Sequence, residues 1–255
     1  MIPKIIHYCW FGSGRLSTLH QRCIDSWRQF CPDYELRLWN EDNSDLDNAY
    51  CRAAIARKKW AFVSDWVRFD ALHREGGIYL DTDMELIRPL DGVIDHPNCV
   101  MARESRRSVA TAFIACRAGD PVMAAARRVI LEELTPRKVF TSSPLIVGRA
   151  IDLTGLAAST VLAEKSFYPF NPYDHENPLN ARQFMYADVT PETVGIHHYG
   201  LTAGWADGRL RRGMRRVLGK IGLQPAWSVA FDLFPPSLAC PPVQGGQVGL
   251  APAAD

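Results

Sequence analysis

Apolar and polar positions divide the first half of the chain into short alternating elements. Ile5 to Phe11 is a near-continuous apolar run, as a strand buried on both faces would be, and Leu19 to Phe30 has the spacing of a helix that stops at Cys31-Pro32-Asp33. Tyr34 to Trp39 predicts a second strand. A polar turn follows from Asn40 to Asp47, then helical segments from about Ala49 to Glu75, a Gly76-Gly77 stop, and a third strand entering Asp81. Strand, helix, strand, helix, strand predicts an α/β fold with a mostly parallel central sheet and helices on its faces. In such a sheet the ligand crevice lies beyond the carboxyl ends of the strands, where Asp81 to Asp83 would fall. Further on, Met84 to Pro89 reads as a short return strand, Asn98 to Arg103 and Thr111 to Cys116 as a pair of strands, and Pro121 to Leu134 as a helix. From Thr135 to Asp188 the many Pro, Asn and Ser residues around short apolar pieces predict substrate-facing loops, and Gly195 to Gly200 a last strand.

Composition narrows the class. The 255 residues suffice for one large domain with a buried core, and 47% hydrophobic with 22% charged residues is ordinary globular composition. A formal net charge of +1 provides no global attraction to nucleic acid. Seven scattered cysteines without a C-x-x-C pair point to a reduced, cytoplasmic protein rather than a disulfide scaffold or zinc knuckle. The N-terminal run lacks a basic leader and cleavage site, and no apolar stretch reaches the roughly 18–20 residues that a spanning helix needs. Near the C-terminus, Arg209, Arg211, Arg212, Arg215, Arg216 and Lys220 accompany Leu210, Met214, Val217, Leu218 and Ile221 at helical spacing. This basic amphipathic helix, 207–221, reads equally as a solvated face on the core or as a peripheral contact with an anionic inner-membrane surface. Beyond Phe234 the Pro-, Gly- and Ala-rich sequence reads as a loose tail.

The candidate chemistry sits at the end of the third strand. In Gly76-Gly77-Ile78-Tyr79-Leu80-Asp81-Thr82-Asp83-Met84-Glu85, strand alternation would place Tyr79, Asp81 and Asp83 on one side. Two carboxylates so close repel unless a cation lies between them, and a hard divalent ion such as Mn²⁺ or Mg²⁺ takes oxygen ligands readily. The bland alternative is a solvated acidic turn closing a strand. Just upstream, Asp65 and Arg68 interrupt the apolar helix Trp60 to Leu72 as i, i+3 neighbours. They are either a partly buried ion pair holding helix to sheet or, beside two further acids, a guanidinium fork and carboxylate for a phosphorylated sugar.

Five blocks in order, IPKIIHYCWFG, CIDSW, PDYELRLWNE, AFVSDWVRFDAL and GGIYLDTDME, together resemble glycosyltransferase family 32. That family includes bacterial capsular-polysaccharide sugar transferases and the fungal initiating mannosyltransferase, and its core is similar to the glucosyltransferase domains of large clostridial toxins. The resemblance covers roughly the first 120 residues. It implies a GT-A fold over 1–206, followed by a helical extension (207–234) and a tail (235–255), a UDP- or GDP-hexose donor, a Mn²⁺ or Mg²⁺ ion and transfer with retention to a glycan or lipid-linked acceptor in cell-surface polysaccharide synthesis. By position, Trp10 would stack on the nucleobase, Asp65 and Arg68 would bind the donor sugar, and Tyr79 would line the pocket. Asp81 would contact ribose and the metal region, and Asp83 would ligate the metal. The His197-His198-Tyr199-Gly200 segment ending at Trp205 is similar to the family's closing segment, with Tyr199 and Gly200 where the family usually has Trp and Ser. It makes His198 a metal or phosphate contact and Trp205 a lid residue. For a carboxylate nucleophile, Glu104 and Asp174 are candidates by chemistry alone, and a front-face transfer assisted by leaving-group oxygens is the family-level expectation.

Two other classes compete. A DxD Mg²⁺-dependent phosphatase would also follow an apolar strand with this motif, although it would place it near the first strand rather than after two strand–helix units. A non-catalytic nucleotide-sugar-binding protein would keep the fold without turnover.

Overall fold

The computed structural model describes residues 1–96, 99–155, 159–174, 188–200, 227–230 and 233–234. Six strands form the central sheet in the order β2-β1-β3-β6-β5-β8: β1 (Ile5–Cys9), β2 (Glu35–Trp39), β3 (Gly77–Leu80), β5 (Cys99–Ser105), β6 (Ser108–Cys116) and β8 (Ser159–Leu162). β1 pairs in parallel with β2 and β3, and β8 in parallel with β5. β6 is antiparallel to both β3 and β5, so it alone runs against the other five. The mixed α/β architecture expected from the alternation is therefore present, with one inserted antiparallel strand.

The helices are α1 (Thr18–Phe30), α2 (Ala49–Ile55), α3 (Trp60–Glu75), α4 (Asp91–Ile94), α5 (Pro121–Arg128), α6 (Thr135–Arg137) and α7 (Ser143–Thr154), of which α1, α3, α5 and α7 supply the layers packed on the sheet. Strand alternation sorts the core into two layers. Tyr79, Met101 and Ile114 point to one face and pack with Phe62, Val67, Val122, Met123, Ile146 and Val147 from α3, α5 and α7. Ile78, Leu80, Val100, Phe113 and Ala115 point to the other and pack with Ile24 and Trp27 of α1 and with Phe167 and Tyr168. Burying each such large side chain contributes about 1.5–3 kcal/mol, which makes these layers the main source of stability.

α1 starts at a capping box in which Ser17 and His20 satisfy each other's backbone N–H groups. α3 lacks a side-chain cap and ends at Gly76, whose φ is +66°. Gly77 follows with φ +100°, and a Cβ there would stand 2.8 Å from the Ile5 carbonyl oxygen. The Gly-Gly pair thus lets α3 turn directly into β3 against β1. Two expectations need revision. The 135–188 stretch contains α7, twelve residues with Ile146, Val147, Ala150 and Ile151 buried, together with β7 (Val139–Phe140) and β8. α7 packs its apolar face on the sheet rather than serving as a substrate loop. The helix from Pro121 changes at Val129–Leu134 into a π-helical turn. β7 pairs with β10 (Ser228–Val229). The expected last strand is β9 (Gly195–His197), which pairs antiparallel with β4 (Met84–Leu86) outside the main sheet. Trp205, the basic helix at 207–221 and the tail from 235 lie outside the described residues.

Candidate active site

β3 ends at Leu80, before the first acid. Asp81 to Met84 form a turn in which the Met84 N–H donates to the Asp81 carbonyl at 2.9 Å, so it is this turn, not strand alternation, that carries both carboxylates. Tyr79 and Asp81 do share a face, because the Tyr79 hydroxyl donates to Asp81 Oδ1 at 3.0 Å.

Behind Asp81 stands Arg68 of α3. Its Nη2 lies 2.9 Å from Asp81 Oδ1 and 3.2 Å from Asp65 Oδ1, and its Nη1 donates to the Thr111 carbonyl at 2.7 Å. The guanidinium also lies over the Tyr79 ring, 4.4 Å from its centroid. Burial does not neutralise Arg68, because Asp81, Tyr79 and Asp65 raise its pKa. The two acids differ in access: the Asp65 side chain is 7% exposed and that of Asp81 28%. Asp65 therefore anchors the guanidinium from behind, while Asp81 presents itself to the open side. Burial pushes the Asp65 carboxyl up to about 6 despite Arg68, and Ser143 donates a hydrogen bond to it.

Asp83 is held from the other direction by the late chain. Its Oδ2 accepts the Gly200 N–H at 2.6 Å, its Oδ1 lies 3.2 Å from His197 Nε2, and its carbonyl accepts the His198 N–H at 3.0 Å. A Cβ on Gly200 would come 3.2 Å from Asp83 Oδ2, a tight approach for any side chain there. Burial works against the Asp83 charge, but His197 and the Gly200 N–H hold its carboxyl below the usual range. Burial likewise works against the His197 charge and is outweighed by Asp83, so the imidazole pKa is raised.

Ligand atoms of Asp81, Asp83 and His197 lie within 4.8 Å of one another, close enough for one cation. Asp and His are donors that Mn²⁺ accepts. His197 Nδ1 is buried without a hydrogen-bond partner among the described residues, and the ring sits between Tyr168 and Tyr199. The residues present fit a divalent ion.

Of the sequence-predicted site residues, Asp65, Arg68, Tyr79 and Asp81 form one connected cluster, with Asp83 at its edge. His198 is not brought to the carboxylate pair: its Nε2 donates to Glu85 Oε2 at 2.8 Å, and the neighbouring His197 takes the place expected of it. The β4–β9 register, Met84 opposite His197, decides which histidine faces Asp83. Trp10 lies just past β1, at the carboxyl end of the sheet, with its indole N–H on the Gly14 carbonyl at 2.6 Å and its ring tilted against His20 at 4.9 Å. Glu104 has a carboxyl raised by burial, and His197 lowers it through its charge, so it lies near the site. Asp174 is buried and interacts electrostatically with Glu104.

Residues 17–100 match the family model described as "Glycosyltransferase sugar-binding region containing DXD motif", a segment that includes α1, α3 and the Asp81–Asp83 turn. The chain is 29% identical over 137 residues to inositol phosphoceramide mannosyltransferase 3 of Schizosaccharomyces pombe. The alignment covers 48% of this chain and 35% of that protein, so the chain spans about a third of the relative's length. Both similarities support a glycosyltransferase. Among solved structures, the chain is similar to PaToxG glycosyltransferase (TM-score 0.47, 19% identity, 60% of this chain and 70% of that one). It is also similar to the glycosyltransferase GlyE of Streptococcus pneumoniae (TM-score 0.47, 13% identity, 84% of this chain and 59% of that one).

Proposed function

We propose that the protein is a metal-dependent glycosyltransferase that moves a hexose from a nucleotide-sugar donor to a glycan or lipid-linked acceptor, with retention of anomeric configuration. The observation that carries the proposal is the convergence of Asp81, Asp83 and His197 around one point at the carboxyl end of β3, with the buried Arg68 guanidinium fixed behind it. Asp83, Asp81 and His197 would hold Mn²⁺ or Mg²⁺, which when bound neutralises charge on a departing diphosphate.

The chain's own groups do the rest. Arg68, oriented by Thr111, Asp65 and the Tyr79 ring, adds fixed positive charge where phosphate oxygens and sugar hydroxyls would lie. Tyr79 aims Asp81 by donating to one of its oxygens, which leaves Oδ2 for ribose or the metal. Trp10 offers an aromatic face for a nucleobase at the same end of the sheet. Gly200 and His198 orient Asp83 through backbone N–H groups. A lid role for Trp205 and inner-membrane contact through 207–221 complete the reading. Cell-surface polysaccharide synthesis in the cytoplasm is the setting proposed; among the described residues no helix is long and apolar enough to cross a membrane.

The test is metal-dependent release of nucleoside diphosphate by the purified chain from a panel of UDP- and GDP-hexoses, GDP-mannose included because of the mannosyltransferase relative. Asp83→Asn is expected to lower turnover by roughly 100-fold or more with an unchanged melting temperature. An active Asp83→Asn variant would remove the metal argument. Thermal stabilisation by a donor without release would identify a binding protein, and ester hydrolysis indifferent to nucleotide sugars a phosphatase.

A further inference from the structure

A second set of ligand-bearing side chains lies at the opposite end of β3 from Asp81. There Gly77 pairs with Cys116 at the end of β6, whereas Leu80, next to Asp81, pairs with Phe113. Ligand atoms of Cys99, Cys116 and Asp120 fall within 4.8 Å of one another, and all three residues are buried. The two thiols are side by side on the antiparallel strands β5 and β6 and hydrogen-bond to each other. Asp120 begins α5, and its Oδ1 accepts the Val122 and Met123 N–H groups at 2.9 and 3.2 Å, so Oδ2 is the oxygen available to a ligand.

A histidine lies near this corner, outside the three-ligand group. His73, in the last turn of α3, is joined to this corner by its carbonyl, which accepts the Gly119 N–H at 2.7 Å. Its imidazole is close enough to Asp120 to favour the carboxylate charge. His73 Nδ1 is nevertheless buried with no hydrogen-bond partner among the described residues. An orphaned imidazole nitrogen against a buried carboxylate is costly unless something satisfies both. Two sulfurs and a carboxylate are three donors of a zinc-class site, whose fourth position His73 or a water would complete, whereas Mg²⁺ and Ca²⁺ favour oxygen alone.

We propose that Cys99, Cys116 and Asp120, joined by His73 as its ring turns toward the ion, form a structural site for one thiophilic divalent cation of the zinc class, separate from the Asp81–Asp83–His197 centre. The site joins the end of α3, the β5–β6 pair and the start of α5 at a corner that carries no catalytic group. As the ion binds, each thiol transfers its proton to solvent and each sulfur forms a bond to the metal, so uptake releases about two protons.

The experiment uses the full chain, reduced and stripped with a chelator, titrated with Cd²⁺ alone and with Co²⁺ alone. One ion per chain should give a thiolate-to-metal charge-transfer band with proton release, and Asp83→Asn should retain it. Cys99→Ser should cut the band to that of one thiolate or less, and the Cys99→Ser/Cys116→Ser double variant should abolish it. Asp120→Asn keeps an N-cap residue and His73→Gln keeps a polar side chain; each should weaken affinity tenfold or more without moving the metal-free melting temperature. These two variants decide the matter if Cys99→Ser does not fold. The proposal is overturned by the absence of a band, by an undiminished band in Cys99→Ser, by any band in the Cys99→Ser/Cys116→Ser double variant, by undiminished affinity in both Asp120→Asn and His73→Gln, or by loss of binding in Asp83→Asn. A Cys99–Cys116 disulfide in the untreated protein, with no ion uptake after reduction, overturns it equally.

Discussion

At the scale of single residues, Arg68 bears the greatest electrostatic demand. It is one cation serving a carboxylate on each side, and its own side chain is only 5% exposed. Replacing it with Met leaves Asp65 buried and uncompensated, so Arg68→Met should destabilise the fold by about 3–5 kcal/mol near neutral pH. The deficit should narrow as pH falls toward about 6, because without the lowering effect of Arg68 the buried Asp65 carboxyl takes up its proton at higher pH than it does beside the guanidinium. Urea unfolding of both proteins at pH 7.5 and 5 measures this, and a constant deficit would contradict the assignment. The residue cluster was readable from sequence because its members are local: Asp65 and Arg68 sit one turn apart on α3, and Tyr79 and Asp81 two apart at the end of β3. His197 was not, because alternation only puts neighbouring histidines on different sides. Which of them meets Asp83 depends on the register with β4, set by residues more than a hundred positions earlier.

Among the elements, the α3–β3 junction has the least tolerance. Gly77 needs φ +100° with the Ile5 carbonyl and the His7 ring at its back, so Gly77→Ala should lose at least about 1–3 kcal/mol. Because the junction aims β3, the same variant should also lower affinity for the ion proposed at the Asp81–Asp83 turn; a stable variant with unaltered binding would show that the backbone adapts. Strands and helices up to Glu85 were readable because their apolar periods are clean and their ends carry Pro, Gly-Gly or polar turns. α7 was not: it opens with Ser143-Pro144 and contains Gly148, residues that punctuate loops in sequence but here give a proline in the first turn and a small mid-helix residue. Its identity comes from the sheet face it covers, a tertiary fact.

For the whole molecule, His7 links three elements. Its Nδ1 accepts the Trp39 indole N–H from β2 at 3.0 Å, which leaves Nε2–H to donate to the Gly76 carbonyl at 2.8 Å, so the folded ring is neutral. Burial lowers its pKa to about 4, against 6.5 for the exposed residue. Above pH 6.5 neither state holds the proton and the full stability is present. As pH falls from 6.5 toward 4 the unfolded chain takes up a proton that the folded chain refuses, and stability declines by an amount on the order of 1–3 kcal/mol. Denaturant titrations across that window should show the loss, and His7→Gln should flatten it; parallel curves would assign the loss to other groups.

The contacts around Asp83 also bear on the order in which the molecule is made. Asp65, Arg68, Tyr79 and Asp81 are all present once the third strand has been synthesised, whereas the Gly200 N–H that holds Asp83 lies 117 residues further along. On a ribosome the guanidinium half of the site can fold while the half that fixes Asp83 is still untranslated, since among the described residues β4 pairs with β9 alone. In the proposed site, metal affinity would therefore be a property of the late chain, and the binding competence of a growing polypeptide would switch on near residue 200 rather than rise gradually with length.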